Sequence, residues 1–308
     1  MAAGVAVVIV NYNTRDHLRY CLETVIPERP ADVVVVDNAS TDGSQDMVGE
    51  LFASVRLFAN RENPGYGAAA NQGVRATSAP YVLLLNSDTR LEAGALAALS
   101  GYLDEHPKAA IAGPALVFPD LRHQPSCFPP LTPFNTLVLN TYLLDVARVA
   151  PGLRARFRGV WEPVPEGPVE WIKGAALALR RRAFDAVSGF DEEYFMYSEE
   201  VDLCYRLSRA GWETHFTPRT RVVHVEGAST STRREEMSAK LFDSLDHFYR
   251  KHWSAGRRFR LRIVVVIVML QRILRDGVSY LRNHDPERRV RIRDDRRVWM
   301  QILRRQFS

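Results

Sequence analysis

Three short runs of aliphatic residues near the start of the chain constrain its fold more than any other feature. They are VAVVIVN at 5–11, VVVV at 33–36 and YVLLL at 81–85. Continuous apolar runs of this length predict strands that are buried on both faces of a parallel sheet. Residues 15–26 and 66–77 have helical spacing and would form the crossovers between the strands. The pattern therefore predicts a layered α/β fold with a Rossmann-like, mostly parallel central sheet.

Polar residues follow each apolar run. They are Asn11-Tyr12-Asn13, Asp37 with the residues after it, and Asn86-Ser87-Asp88. In open sheets of this kind, ligands bind beyond the carboxyl ends of the strands, so these residues are candidates for one site. Each segment alone has a simpler explanation, because Asp37 and its neighbours can cap a helix and Asn86-Ser87-Asp88 can form a turn.

Three further segments carry candidate functional groups. Asn63-Pro64-Gly65-Tyr66-Gly67 precedes a helix that contains Asn71, and its glycines allow either a close approach to a ligand or a plain turn. The segment 190–206 places Asp191, Glu199 and Glu200 among aromatic residues, which favours a raised carboxyl pKa and a general base, although an acidic helix start is the alternative. His224 is a metal-ligand candidate only together with Asp88, since a lone histidine in a strand is more often structural.

The middle of the chain gives a mixed pattern. Helical spacing appears at 92–106, 180–188, 199–210 and 233–252, and 220–225 resembles a strand. The proline-rich stretch 111–170 is a poor candidate for regular sheet, so we expect loops and one short helix near 134–148.

The C-terminal region differs in charge from the rest. Residues 250–308 hold 17 Lys and Arg against 5 Asp and Glu, whereas residues 1–249 hold 24 against 31. The most apolar segment, 261–274, is shorter than the ~20 residues that span a bilayer. It is either a packed core element, such as a core strand, or a segment lying on an anionic membrane surface. We therefore divide the chain into residues 1–232 and a helical, basic extension at 233–308.

The three cysteines are scattered and form no CxxC motif, which favours reduced thiols in a cytosolic protein over a zinc site or a disulfide framework. The N-terminus shows no basic region or cleavage site, so no signal peptide is predicted.

The order and spacing of these segments resemble the family-2 glycosyltransferases of the GT-A fold, especially their bacterial rhamnosyltransferase-like branch. The similarity covers roughly residues 5–230. It rests on VVIVNYNTRDHLRYCLET at 7–24, VVVVDNASTDGS at 33–44, NPGYGAAANQG at 63–73, YVLLLNSD at 81–88, the segment 171–212 and VVHVEGAST at 222–230.

The resemblance implies a role for each matching residue. Asp37 would read the nucleotide base, Asp88 and His224 would bind Mg²⁺ or Mn²⁺, and Glu200 or Glu199 would be the catalytic base. Asn86 departs from the usual DxD pattern, so a sugar or phosphate contact is expected of it. The remaining donor contacts would come from Asn11, Tyr12, Asn13, Asn63, Gly65, Asn71, Asn86 and Ser87. The cleft for the donor sugar and the acceptor would be lined by Trp171, Gly174 and Asp191.

The implied activity is inverting transfer of a sugar to a glycan or polyprenyl-diphosphate-linked acceptor in cell-envelope glycan synthesis, at the cytoplasmic face of the membrane. dTDP-rhamnose is the favoured donor, and UDP-hexoses remain open. The C-terminal extension would contact anionic lipid or form a homo-oligomer, and nucleic acid is not an expected partner because few aromatic residues interleave its arginines. The alternatives are a nucleotidyltransferase, which would need a glycine-rich loop after the first strand, and an inactive nucleotide-sugar-binding module.

Overall fold

A computed structural model describes residues 4–227, 234–282 and 285–306. The chain divides into two compact units. The first unit contains residues 4–129 and 158–227, and the second contains residues 130–157 with the described residues from 234 onward. The second unit thus takes in the segment 130–157 as well as the extension that the sequence sets apart at 233–308.

The first unit consists of strands and helices in alternation. Its strands are β1 Val5–Asn11, β2 Asp32–Asp37, β3 Arg56–Ala59, β4 Tyr81–Asn86, β5 Thr89–Leu91, β6 Ala109–Val117, β7 Cys127–Phe128, β8 Gly167–Val169, β9 Trp171–Ile172, β10 Ala176–Arg180 and β11 Glu213–His224. Its α-helices are α1 Arg15–Val25, α2 Ser44–Leu51, α3 Tyr66–Arg75, α4 Ala95–Glu105, α8 Arg181–Ala186 and α9 Glu199–Arg209. The three predicted strands and the helices near 15–26, 66–77, 92–106 and 199–210 are confirmed.

The main sheet has the order β3-β2-β1-β4-β10-β6-β11-β5, with β8 added beside β11. Strands β1, β2, β3 and β4 run parallel, whereas β10 pairs antiparallel with both β4 and β6. Nearly all aliphatic side chains from β1, β2 and β4 are buried, which explains their uninterrupted apolar runs. The parallel ladders bring the carboxyl ends of β1, β2 and β4 to one edge.

The expectation of no regular sheet in 111–170 is wrong at three places, which are the residues of β6 up to Val117, the short strand β7, and β8 beside β11. Strand β6 is a nine-residue, mostly buried strand in the sequence AAIAGPALV. Its small residues and Pro114 have low strand propensity, so the local signal was absent. Packing requires a small residue in this strand, because a Cβ on Gly113 would lie 2.1 Å from Cδ1 of Ile172.

The second unit is helical. It contains α5 Pro133–Asn140, α6 Leu143–Val149, α7 Pro151–Arg156, α10 Arg234–His252, α11 Ala255–Arg282 and α12 Pro286–Arg305. The single helix expected near 134–148 is two helices, since α5 ends at Asn140 and α6 begins at Leu143. Segment 261–274 lies within helix α11, which excludes the alternative of a core strand. In the described ranges, no helix is both long and apolar enough to cross a membrane.

Candidate active site

A cleft lies in the first unit at the carboxyl ends of β1 and β4. Nine of the predicted residues line it: Tyr12, Asn63, Asn86, Ser87, Asp88, Gly174, Glu199, Glu200 and His224. They come from the ends of β1 and β4, the loop before α3, the loop before β10, the start of α9 and the end of β11. The polar residues that follow separate strands therefore do converge.

A chain of hydrogen bonds joins the ends of β2, β1 and β4 below this cleft. The buried Asn11 amide donates to Asp37 Oδ2 at 2.7 Å, and Asn11 Oδ1 accepts from the Thr14 hydroxyl at 2.6 Å. The Thr14 and Ser87 hydroxyls lie 2.7 Å apart, and since the Thr14 proton is already used, Ser87 donates. Asn11 thus supports the cleft from beneath and does not line it.

Asp37 is fully buried and also lies outside the cleft lining. Its Oδ1 accepts from the Ser40 backbone N–H at 2.8 Å and from the Gln45 amide at 2.7 Å. These bonds hold the loop that leads into α2. Three donors therefore bond to Asp37, and two of them, the Asn11 and Gln45 amides, are side chains. A nucleobase that bonds to Asp37 would add to these bonds or replace one of the two amides.

Several residues around the cleft adopt left-handed backbone conformations although they are not glycine. They include Asn13 at φ 51°, Ala39 at 63°, Tyr197 at 70°, Ser198 at 64° and Glu226 at 65°. Such residues cost of order 1 kcal/mol each and cluster at functional sites. Asn13 ties two of the loops together, since its Oδ1 accepts from the Thr41 backbone N–H at 2.7 Å.

Asp88 and His224 form the candidate metal pair. Strand β5 pairs with the end of β11, so that His224 lies opposite Thr89 and its Nε2 is 3.3 Å from Asp88 Oδ1. Both side chains are almost fully buried. The two acceptors face one another, an arrangement that a cation between them would stabilise.

Gln124 sets the tautomer of His224. Its Oε1 lies 2.9 Å from His224 Nδ1, while its Nε2 donates to Glu226 Oε2 at 3.2 Å and to the His224 carbonyl at 3.5 Å. Because the Gln124 amide nitrogen has two acceptors, its oxygen must face the histidine, and Nδ1 carries a proton. With the proton on Nδ1, the neutral form of the imidazole would turn its Nε2 lone pair toward Asp88.

The paired acids at the start of α9 provide the candidate base. Each of Glu199 and Glu200 has a buried Oε2 atom without a hydrogen-bond partner. Burial raises the pKa of Glu199 well above its usual range, and the neighbouring Glu200 raises it further. Burial also raises the pKa of Glu200, but the Lys173 ammonium opposes this shift. The pair is thus suited to share one proton, and the stronger upward shift in pKa favours Glu199 as the residue that holds it.

Lys173 is the cation within this cleft. Its Nζ lies 2.5 Å from Glu226 Oε1, and the pKa of Glu226 is lowered by Lys173 despite partial burial. Gly174 follows directly, and a Cβ there would lie 3.7 Å from the Glu200 Cβ. This loop therefore borders Glu200 of the candidate base pair on one side. On the other side it reaches the candidate metal pair through Glu226 and Gln124.

The motif at 63–71 acts mainly as a support for the loop before α9. Asn71 donates to the Phe190 carbonyl at 2.9 Å and to Glu192 at 2.9 Å, and its Oδ1 accepts from the Phe190 N–H. Asn71 is buried by these contacts, and the donor contact expected of it is replaced by this supporting role. Asn63 does line the cleft, and its Oδ1 also accepts from the Gly65 N–H at 3.0 Å.

At Gly65 the close approach is made by another backbone segment of the protein and not by a ligand. It has φ 94°, and a Cβ at this position would lie 2.4 Å from the Phe195 carbonyl oxygen. We expect Gly65→Ala to lower the free energy of unfolding by about 2–4 kcal/mol, through the left-handed conformation and the clash together. Urea unfolding followed by circular dichroism would measure this loss.

Gly94 provides the matched control for this substitution. It has a similar φ of 82°, but no atom lies within 4 Å of a Cβ built there. We expect Gly94→Ala to cost only about 1 kcal/mol. Equal losses in the two variants would show that the contact with Phe195 contributes nothing.

Two residues expected in the sugar and acceptor cleft lie outside its lining. The Trp171 indole N–H donates to the Pro129 carbonyl at 2.8 Å, and its ring stacks on Phe128 at 4.6 Å. Asp191 Oδ1 accepts from the Glu193 N–H at 2.9 Å and closes a turn. The Trp171 side chain thus joins β9 to the end of β7, and the Asp191 side chain stabilises its own turn.

Sequence reasoning overlooked several lining residues: Val10, Asn38, Tyr66, Lys173, Ala175, Met196, Tyr197, Glu226 and Gly227. Most of them are immediate neighbours of residues that were singled out, so the strand-end rule applied to whole segments would have found them. Gln124 carried no signal, since it lies in the proline-rich stretch, far in sequence from His224.

Comparison with known proteins gives consistent results. The family model described as "Glycosyl transferase family 2" matches residues 6–161. The N-acetylglucosaminyl-diphospho-decaprenol L-rhamnosyltransferase of Mycobacterium tuberculosis is 34% identical over 73% of this chain and 76% of its own. The dTDP-rhamnosyl transferase RfbF of Shigella flexneri is 26% identical over 74% of this chain and 71% of its own.

Solved structures support the same fold. A mannosyltransferase from Pyrobaculum calidifontis, solved with GDP-Man and Mn²⁺, superposes with a TM-score of 0.57 at 16% identity, over 98% of this chain and 86% of its own. The predicted GT-A fold is therefore confirmed. With the matching family model and the rhamnosyltransferase relative, these findings show that the chain belongs to glycosyl transferase family 2.

Proposed function

We propose that this glycosyltransferase transfers L-rhamnose from dTDP-rhamnose, with inversion, to a hydroxyl of a lipid-linked glycan at the cytoplasmic face of the membrane. The observation that carries the proposal is the convergence of Asp88, His224 and the acid pair Glu199 and Glu200 in one cleft. The two rhamnosyltransferase relatives support the choice of sugar, and the printed name of the mycobacterial relative supports a polyprenyl-diphosphate-linked acceptor.

A divalent cation fits between Asp88 and His224. The carboxylate and the lone pair on His224 Nε2 are donors that Mg²⁺ and Mn²⁺ accept. In the described part of the chain, no group of three or more His, Cys, Asp or Glu residues has the geometry of a metal site. The other ligands would be diphosphate oxygens and water, as is common for Mg²⁺. When bound, the cation would neutralise charge on the departing nucleoside diphosphate.

Glu200 is the proposed base. Its ionised carboxylate removes the proton from the acceptor hydroxyl, and the oxygen then attacks the anomeric carbon as the bond to the diphosphate breaks. Protonated Glu199 keeps the pair from carrying two negative charges. Lys173 favours the ionised form of Glu200 and adds positive charge to the cleft.

The test is nucleoside diphosphate release from a panel of dTDP- and UDP-sugars, with Mg²⁺, Mn²⁺ or EDTA. We expect metal-dependent turnover with dTDP-rhamnose. Turnover with a UDP-hexose instead would refute dTDP-rhamnose as the donor, while the proposed type of reaction would stand. If no donor reacts, calorimetry with dTDP and UDP decides, since an inactive donor-binding protein would bind one of them and a protein without this site would bind neither.

The role of Gln124 leads to a separate prediction. Gln124→Leu removes the acceptor that holds the His224 proton on Nδ1, so we expect Mn²⁺ affinity in the presence of dTDP to fall about 10–100-fold. Electron paramagnetic resonance of free Mn²⁺ would measure the affinity without turnover.

The exposed Gln301 in α12 provides the control for Gln124. Gln301→Leu makes the same chemical change in the other unit and should leave Mn²⁺ affinity unchanged. Wild-type affinity in the Gln124→Leu variant would refute the tautomer argument.

A further inference from the structure

Helix α11 exposes a continuous row of large apolar side chains. They recur every three or four residues along the 28-residue helix and are more than 40% exposed. The row, which we name the apolar stripe, comprises Phe259, Ile263, Ile267, Leu270, Leu274, Val278 and Leu281. Single exposed apolar residues are ordinary, but an aligned row of seven marks an interaction surface.

The opposite face of α11 explains why the stripe stays exposed. Leu261, Val264, Val265, Val268 and Met269 are buried, and this face packs against α5 and α12 within the second unit. The helix is thus apolar on two faces, one of which is already used for folding. Since burial of the first face satisfies the core, the stripe is free for a partner.

Arginines border the stripe. Arg260, Arg275 and Arg282 are exposed and directly follow the stripe residues Phe259, Leu274 and Leu281. One position corresponds to about 100° around a helix, so these guanidinium groups lie along the stripe's edge. An apolar strip with a basic margin is typical of helices that lie in the headgroup region of an anionic bilayer.

A groove in the second unit places basic and apolar groups together. Leu274 and Val278 of the stripe line it, and so do Arg275, Arg282 and Arg288 together with Tyr142. Guanidinium groups bind phosphate oxygens through paired hydrogen bonds. The groove therefore has the chemistry to hold a phospholipid headgroup, while the stripe beside it contacts acyl chains.

The charge on α11 disfavours a second copy of this chain as the occupant. The helix contains seven arginines and a single acid, Asp276. Asp276 is buried, accepts from the Trp299 indole at 3.0 Å and pairs with Arg275. Two such helices would bring arginines together without exposed carboxylates of their own to pair with them.

We propose that the apolar stripe and the adjoining arginine groove bind the surface of an anionic phospholipid bilayer. Such binding would hold the enzyme beside a lipid-linked acceptor, and in this respect the proposal rests on the proposed function. Its physical content is independent of catalysis, because it concerns binding to lipid without donor or acceptor.

The test is co-sedimentation of the full chain with vesicles, in the absence of donor and metal. We expect binding to equimolar phosphatidylcholine and phosphatidylglycerol, and much weaker binding to phosphatidylcholine alone. The double variant Arg282→Gln with Arg288→Gln should lower the partition coefficient on anionic vesicles about tenfold or more. The double variant Ile267→Ser with Leu274→Ser should lower it by a similar factor.

Matched controls lie on the first unit. Arg29→Gln with Arg209→Gln removes the same charge from exposed positions, and Leu51→Ser with Leu121→Ser removes exposed apolar residues. These controls should bind as the wild type does, and circular dichroism would verify that all variants fold. The proposal would be overturned if the control and test variants lost vesicle binding equally. It would also be overturned if the wild-type protein bound neither kind of vesicle.

Sedimentation equilibrium tests whether a second copy of this chain binds the stripe instead of lipid. A wild-type dimer that the stripe variant dissociates, with vesicle binding unchanged, would assign the stripe to a second copy. The diphosphate-release assay is independent of both results, so failure of this inference and failure of the proposed function can be told apart.

Discussion

Glu200→Gln is expected to lower kcat by about 10²–10⁴-fold, because the variant keeps the shape of the side chain and loses the proton acceptor. The carboxylate is buried next to Glu199, and Lys173 favours its ionised form. Diphosphate release at saturating donor and acceptor would measure the loss. Donor binding, measured by calorimetry, should change little.

The neighbouring acid is the control for this assignment. Glu199→Gln replaces a carboxyl that we expect to be protonated, so its activity should fall much less than that of Glu200→Gln. The reverse order would identify Glu199 as the base. This comparison decides a choice that the sequence left open.

The same pair predicts a pH dependence. Because the pKa of Glu200 is raised, kcat/KM should increase with pH through that raised value, above the range of an ordinary glutamate. For stability, the raised pKa of Glu199 means that the folded state holds its proton more tightly than the unfolded state. Stability from this group is present at low pH and is lost as pH rises through the folded pKa. The stability gain of Glu199→Gln over wild type should therefore grow with pH.

Asp88→Asn is the second substitution with a large expected effect. It removes the negative charge that faces His224 Nε2 at 3.3 Å and keeps the size of the side chain. We expect at least an ~10²-fold loss of turnover at saturating donor, since bound metal supplies several kcal/mol of charge stabilisation to the leaving group. Mn²⁺ affinity should fall in parallel.

Asp46 at the exposed start of α2 offers the matched control. Asp46→Asn should retain wild-type turnover and Mn²⁺ affinity. Full turnover of the Asp88→Asn variant, with unchanged dependence on metal, would show that Asp88 is not a metal ligand.

Sequence predicted the parts of this protein whose signal is local. Strands β1, β2 and β4 are long aliphatic runs because both of their faces are buried. Tyr12 after β1 and Ser87 and Asp88 after β4 do line the cleft, whereas Asn13 does not. Strand β6 was not predicted, because Gly113 and its small neighbours make room for Ile172, and this contact exists only in the folded chain.

The candidate site shows the same division. Asp88, Glu200 and His224 follow recognisable segments, but nothing in the sequence separates a lining residue from one that supports it. Asn71 and Asn63 belong to one motif, yet Asn71 is consumed by hydrogen bonds to Phe190 and Glu192 while Asn63 faces the cleft. Gln124 acts through His224, a relation across 100 residues that no spacing rule encodes.

The hydrogen-bonded chain from Asp37 through Asn11 and Thr14 to Ser87 has a consequence for engineering. It joins the loop expected to select the nucleobase to the segment expected to hold the diphosphate. Exchanging the 37–45 loop alone, in order to change nucleotide preference, would leave Asn11 with a mismatched partner and disturb Ser87. A successful exchange would have to move the ends of all three strands as one module.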